Sequence, residues 1–150
     1  MVLALGSDHG GYALKEEVKK YLDSRGVAYH DFGCHSTDSC DYPVFGKMVG
    51  EAVASGEYER GLLFCGTGIG ISIAANKVKG VRAACCSDCF SAKYTRMHND
   101  ANILAMGGRV VGPGLAIEMV ALFLDTEFEG GRHQRRIDLV SQIEAENAAK

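Results

Sequence analysis

The residues of this chain best suited to chemistry fall in separated clusters: Asp8-His9, Cys65 with the run Gly66-Thr67-Gly68-Ile69-Gly70, His98-Asn99, Arg109, and the pair Arg132 and Arg136. Backbone N–H groups in a glycine-rich turn that opens a helix form a cradle for negative charge. The run is not a dinucleotide fingerprint, because with glycines at 66 and 68 the third glycine position holds Ile71. Such a fingerprint also follows the first strand of its sheet, whereas this run follows the third. No G-x-x-x-x-G-K-[ST] occurs, which excludes a P-loop. A small anionic group suits the turn; the plain alternative is a tight turn with no ligand.

Cys65 stands immediately before that turn, where a helix N-terminus favours the thiolate. A thiolate there serves as a nucleophile or a general base. Alone it is equally well a core residue, and the cradle beside it tips the reading to chemistry. His98-Asn-Asp-Ala-Asn102 offers one imidazole among side chains that also suit capping and turns; His9, beside Asp8, carries the same ambiguity. Arg132 and Arg136 are four apart and share a helical face, while Arg135 points elsewhere. Solvated surface is the common meaning of that spacing, but with Arg109 the pair can clamp a phosphate through bidentate guanidinium groups. Together the clusters describe a site for a small phosphorylated anion, with no evident metal site and no recognised cofactor motif. Proton transfer next to a carbonyl fits it, needing only a base, an acid and a home for an enediolate.

The elements that must position these groups alternate. Short apolar runs end in glycine-rich or polar loops, and each loop opens an amphipathic stretch. Strands are expected at Val2–Leu5, Ala28–Phe32, Gly61–Cys65, Val81–Cys86 and Ile103–Met106. Helices are expected over Tyr12–Ser24, from Pro43 through Val53, from the glycine run to about Lys77, over Ser87–His98, from Pro113 to about Leu124, and over about His133–Asn147. The last carries Ile137, Val140 and Ile143 as an apolar stripe, able to dock on its own sheet or on a neighbour. Repeated strand–helix units imply a three-layer α/β/α sandwich with a doubly wound, Rossmann-like, five-stranded parallel sheet. Ligands of such folds sit at the carboxyl ends of the strands, where Asp8-His9, Cys65 to Gly70 and Gly107 to Arg109 are expected, while His98-Asn99 lies at the far end of the helix after the fourth strand.

At 150 residues the chain fits one domain, residues 1–150. Sixteen basic against nineteen acidic side chains, a net charge of −3, argue against a broad nucleic-acid surface. No apolar run approaches the roughly 20 residues of a membrane span, and Met1–Gly6 lacks the basic start of a signal peptide. A cytoplasmic protein is expected. Its six cysteines should then be reduced. Cys86-Ser-Asp-Cys89 could be paired with Cys34-His35 and Cys40 as a zinc site, but the spacing is not that of a zinc motif. Cys85, Cys86 and Cys89 read instead as small buried residues at a strand end and the following helix.

The stretches Gly6-Ser-Asp-His-Gly-Gly-Tyr-Ala-Leu-Lys15, Cys65-Gly-Thr-Gly-Ile-Gly-Ile-Ser-Ile-Ala-Ala-Asn-Lys77, His98-Asn-Asp-Ala-Asn-Ile-Leu104, Gly107-Gly-Arg109 and Arg132-His-Gln-Arg-Arg-Ile-Asp138 resemble, in order and across nearly the whole chain, the type B ribose-5-phosphate isomerases. The wider family includes allose-6-phosphate and galactose-6-phosphate isomerases. The resemblance implies an aldose–ketose isomerase of the pentose phosphate pathway that uses no cofactor and interconverts D-ribose 5-phosphate and D-ribulose 5-phosphate. It implies that Cys65 is the base between C1 and C2, with Thr67 beside it. Residues Gly66, Thr67, Gly68, Ile69 and Gly70 would donate N–H groups to the enediolate, assisted by Asn99. His98 would open the furanose, Asp8 would handle sugar hydroxyls, and His9, Arg109, Arg132 and Arg136 would bind phosphate. Members that use a glutamate base carry it where this chain has Ile71, so the chain resembles the cysteine-base branch. The family forms dimers, sometimes tetramers, with sites at the subunit interface, and the terminal helix is expected to take part. The sulfur-rich segment at Cys85, Cys86 and Cys89 departs from the family and has no functional account. Two other readings stand beside this one: a six-carbon sugar phosphate as substrate, or a non-catalytic phosphosugar-binding protein.

Overall fold

Three apolar runs become central strands because both of their faces find cover. The computed structural model describes residues 1–150. Its elements are β1 (Val2–Ser7), α1 (Tyr12–Arg25), β2 (Ala28–Asp31), α2 (Tyr42–Ala54), β3 (Arg60–Cys65), α3 (Ile69–Ala75), β4 (Ala83–Cys85), α4 (Cys89–Asn99), β5 (Ile103–Gly107), α5 (Pro113–Asp125) and α6 (Arg132–Ala148). The five strands form one sheet in the order β2-β1-β3-β5-β4, every neighbouring pair parallel. Successive side chains of a strand alternate between faces. Leu3, Leu5, Leu62, Phe64, Leu104 and Met106 therefore enter one core, with Val18 and Leu22 of α1 and Met119 and Phe123 of α5. Ala4, Leu63, Cys65, Ile103 and Ala105 enter the other, under Val49 of α2 and Ile71 of α3. Fully burying such a Leu, Ile or Phe side chain contributes about 1.5–3 kcal/mol. Cys65 is thus the last inward residue of its strand on the α2–α3 side.

This is the doubly wound α/β sandwich expected from the alternation, with boundaries adjusted by side-chain hydrogen bonds. The fourth strand is shorter than Val81–Cys86 because side chains take over its entry. Asn102 Oδ1 accepts the Arg82 N–H at 2.8 Å, and the Asn76 amide pairs with both the N–H and the C=O of Ala83 at 2.8 and 2.9 Å. Asn76 also caps α3, so that helix ends at Ala75 rather than Lys77. On α6 the expected stripe splits. Ile137 is buried, whereas Val140 and Ile143 are 53% and 60% exposed.

A buried ion pair ties α1 to the end of β2, next to the first loop of the site. Lys15, fully buried, donates to Asp31 Oδ1 at 2.9 Å and also to the carbonyl of Cys34. Burial pushes the Asp31 carboxyl up, but hydrogen bonds from Lys15, the Gly33 N–H and Lys19 outweigh it and hold it below the usual carboxylate range. Breaking one side of such a pair strands the other charge. Asp31→Asn is expected to cost about 3 kcal/mol in urea unfolding at pH 7. A carboxyl held low in the folded state stabilises above its unfolded value and loses that contribution as pH falls through the folded value. The wild type should therefore lose this stability below about pH 4, and the variant should lack that part of the acid sensitivity.

Candidate active site

Neighbouring strands whose connections leave toward opposite faces open a crevice at their carboxyl ends. Here α1 follows β1 on one face and α3 follows β3 on the other, so Asp8-His9 and Cys65–Gly70 border the crevice. The loop after β5 closes on the same place: Gly108 N–H donates to the Cys65 carbonyl at 2.8 Å and Arg109 N–H to the Gly66 carbonyl at 3.0 Å. Glycine is required where these backbones meet. Gly68 sits at φ +81°, and a Cβ on Gly107 would fall 2.6 Å from the Thr67 carbonyl carbon.

The thiol of Cys65 is buried and accepts the Gly68 N–H at 3.1 Å. That contact brings one donor of the loop onto the sulfur. Thr67 Oγ1 accepts the Ile69 N–H at 3.2 Å, while Gly70 and Ile71, in the first turn of α3, have no intrahelical acceptor for their N–H groups. α3 has only seven residues, so individual N–H groups, more than a long helix dipole, face an anion here. Asp8 is buried and its Oδ1 accepts the Gly11 N–H at 3.1 Å, leaving Oδ2 free of that bond. His9 Nδ1 accepts the Cys40 N–H at 3.2 Å, so a neutral ring carries its proton on Nε2, as a donor. The Arg109 guanidinium lies along Gly66, its Nη1 3.4 Å from where a Cβ would stand. Asp8, His9, Thr67, Cys65 and Arg109 thus form one cluster on one chain.

His98 and Asn99 do not join it; they lie at the far end of the helix after β4, as the sequence places them. α4 leaves the carboxyl end of β4 and runs back, so its last residues return to the end of the sheet where strands begin. The Asn99 carbonyl accepts from Arg82 Nε at 2.9 Å, ahead of β4, and the Asn102 carbonyl accepts the Gly61 N–H at the start of β3. Between Gly61 and Cys65 lie four residue steps, about 13 Å of strand at about 3.3 Å each. Arg132 and Arg136 share the remote location, because α6 lies against α4 and its His133 ring stacks on His98 at 4.1 Å. Both arginines are exposed.

The motif around His98 divides into scaffold and surface groups. Asp100 caps α4 in a left-handed conformation, and its Oδ1 accepts from Arg96 Nη1 at 2.9 Å; the same nitrogen donates to the Ala101 carbonyl. Asn102 is spent on Arg82 and Gly80. His98 and Asn99 remain at the surface. Sequence reasoning missed Tyr42, whose ring would be 2.8 Å from a Cβ on Gly70, and the pair Glu129 and His133 around His98. Helical spacing was the available signal for His133, four residues before Ile137 on the apolar side of α6.

All six cysteines are free. Cys34 and Cys40 lie beside His9 near β2, and Cys86 and Cys89 follow β4, so the imagined zinc halves stand at opposite edges of the sheet. Only Cys86 fits the expectation of burial, which pushes its thiol up to about 11. Cys85 is exposed and Cys89 half-buried, because β4 is an edge strand and α4 begins at the surface.

Comparison with known proteins places this geometry. The family model described as Ribose/Galactose Isomerase matches residues 3–140. Ribose-5-phosphate isomerase B of Escherichia coli is 49% identical over 142 residues, 95% of each chain. Galactose-6-phosphate isomerase subunit LacB of Clostridium acetobutylicum is 40% identical, covering 91% of this chain and 79% of that one. The solved structure of Clostridium thermocellum ribose-5-phosphate isomerase B superposes with a TM-score of 0.97 at 54% identity, covering 98% of this chain and 99% of that one. The chain belongs to the ribose/galactose isomerase family, among the type B ribose-5-phosphate isomerases.

Proposed function

We propose that this chain interconverts D-ribose 5-phosphate and D-ribulose 5-phosphate, with Cys65 as the base. The observation that carries this is the thiol at the end of β3, which accepts the Gly68 N–H of the Gly66–Gly70 loop, with Arg109 lying along Gly66. The position that holds glutamate in the other branch is filled by Ile71, fully buried and facing the core. In this reading His98 protonates the ring oxygen as the C1–O bond breaks and the C1 hydroxyl gives up its proton. Cys65 then takes the proton from C2, the loop N–H groups and Asn99 carry the enediolate charge, the C2 hydroxyl proton passes to O1, and the proton held by Cys65 returns at C1. Thr67 steadies the loop, Asp8 holds sugar hydroxyls, and His9, Arg109, Arg132 and Arg136 hold the phosphate.

Two separated clusters can serve one substrate only if a second copy brings them together. The reading therefore includes a homodimer with two composite sites, each with Cys65, Asp8, His9 and Arg109 from one chain and His98, Asn99, Arg132 and Arg136 from the other. Its support is an apolar surface bordering both clusters: Ile69, Ile73, Phe90, Val140 and Ile143 are all at least half exposed, beside the unpaired edge of β4. Residues 1–150 act in it as one catalytic unit, with α6 in the dimer contact. No helix is long and apolar enough to cross a membrane, and a cytoplasmic setting would keep the thiol reduced.

A coupled assay on ribose 5-phosphate, allose 6-phosphate and galactose 6-phosphate tests the assignment. The highest kcat/KM is expected on ribose 5-phosphate. A preference for a six-carbon substrate would replace it, and binding without turnover of any of the three would make the protein a phosphosugar-binding module.

A further inference from the structure

His98 is surrounded by three side chains to which no role has yet been given: His133, Tyr94 and Glu129. Its ring stacks on His133 at 4.1 Å and 12° from parallel, and the Tyr94 ring meets it edge-on at 5.2 Å. One Glu129 oxygen lies 3.9 Å from His98 Nε2, and the other lies 3.7 Å from His133 Nε2. His133 is 5% exposed, and its Nε2 is a buried polar atom with no hydrogen-bond partner. Glu129 is pinned to the end of α4 by its N–H, which donates to the Met97 carbonyl at 3.1 Å.

The three ligand atoms lie within 4.8 Å of one another, yet the trio is poorly built for a metal ion. An ion on an imidazole nitrogen lies in the ring plane, about 2.1 Å from the nitrogen. Two rings stacked nearly parallel share no such plane. The arrangement suits one proton instead. Like charges on stacked rings repel, so the arrangement disfavours a charge on both rings at once. Burial, with His98 and Arg132 adding to it, pushes the His133 imidazole down. Of the groups facing the pair, Arg132 and Arg136 oppose a charge on His133, and Glu129 is the carboxylate that can balance one on the more exposed His98.

We propose that Glu129 and His133 are positioning residues for the ring-opening acid: His133 fixes the plane of the His98 imidazole by stacking, and Glu129 holds a carboxylate beside its Nε2. The proposal rests on His98 being that acid. At 3.9 Å the Glu129 contact is longer than a hydrogen bond, as catalytic contacts often are before substrate binds.

Two assays separate ring opening from the proton shuttle. Turnover of ribose 5-phosphate needs both. Uptake of solvent deuterium at C1 of ribulose 5-phosphate needs only the shuttle, because a ketose phosphorylated on O5 cannot close a furanose. Glu129→Gln is expected to lower kcat on ribose 5-phosphate about tenfold, with KM and deuterium uptake each within about twofold of wild type. His133→Ala should behave alike, and His133→Phe, which restores a flat ring, should recover most of the loss. In a His98→Asn background Glu129→Gln should cost nothing further, since residues acting through one another are not additive. Equal losses in both assays, full additivity with His98→Asn, or no loss at all would overturn the proposal. Equal damage from His133→Phe and His133→Ala would overturn the stacking role. If His98→Asn itself leaves turnover of ribose 5-phosphate intact, the assignment of the acid is wrong and the proposal falls with it.

Discussion

Cys65→Ala is expected to lower kcat on ribose 5-phosphate by about a thousandfold, the scale of a lost general base, while a phosphorylated sugar acid still binds. The expectation follows from what the thiol touches. It is the last inward residue of β3, and its sulfur accepts the Gly68 N–H at 3.1 Å. Removing it takes away the proposed base and leaves the proposed phosphate ligands in place: His9 is oriented by Cys40, and Arg109 by the Gly66 carbonyl. Cys65→Ser sharpens the test, since its hydroxyl can keep the Gly68 bond but is a far weaker base. Both variants should lose turnover and retain binding. An alanine variant that keeps a tenth or more of wild-type kcat would remove Cys65 from the role of base.

The central strands were legible because their pattern reports a physical condition. An unbroken run such as Leu62-Leu63-Phe64-Cys65 is stable as a strand only where both faces are covered, and it lies in the middle of the sheet. β4 was read too long for the complementary reason. At an edge, the side chains of Asn76 and Asn102 can take the backbone groups that a neighbouring strand would have held. Nothing local in Val81-Arg82 announces that substitution.

The site was half legible. Loops after β1, β3 and β5 were placed by topology, because parallel strands end together. His98 was read at the far end of the helix after the fourth strand and lies there, since a helix that follows a strand returns to the end where the strand began; that a second cluster forms around it was not legible. Glu129 was invisible because its partners come from two other segments, the α4 terminus and His133. Cys85 was read as buried from its residue type, and only the strand order shows that it lies on an edge.

A mixture of two inactive variants should recover activity if the composite site is right. Arg136 is exposed on α6 and Cys65 lies in the other cluster, so the two lesions fall in different halves of each site. In a dimer of Cys65→Ala with Arg136→Ala, one site receives both lesions and the other receives none. Random exchange makes half the dimers mixed, with one intact site of two, so about a quarter of wild-type activity should return. His98→Asn in place of Arg136→Ala should give the same result, because α4 and α6 bring the two residues to one place. The structure also supplies a control. Arg109 lies along Gly66, next to Cys65 of the same chain, so mixing Cys65→Ala with Arg109→Ala leaves one lesion in every site and should restore nothing. Recovery with Arg109→Ala, or none with Arg136→Ala once subunit exchange has been verified by mass, would reject the division of the site between chains.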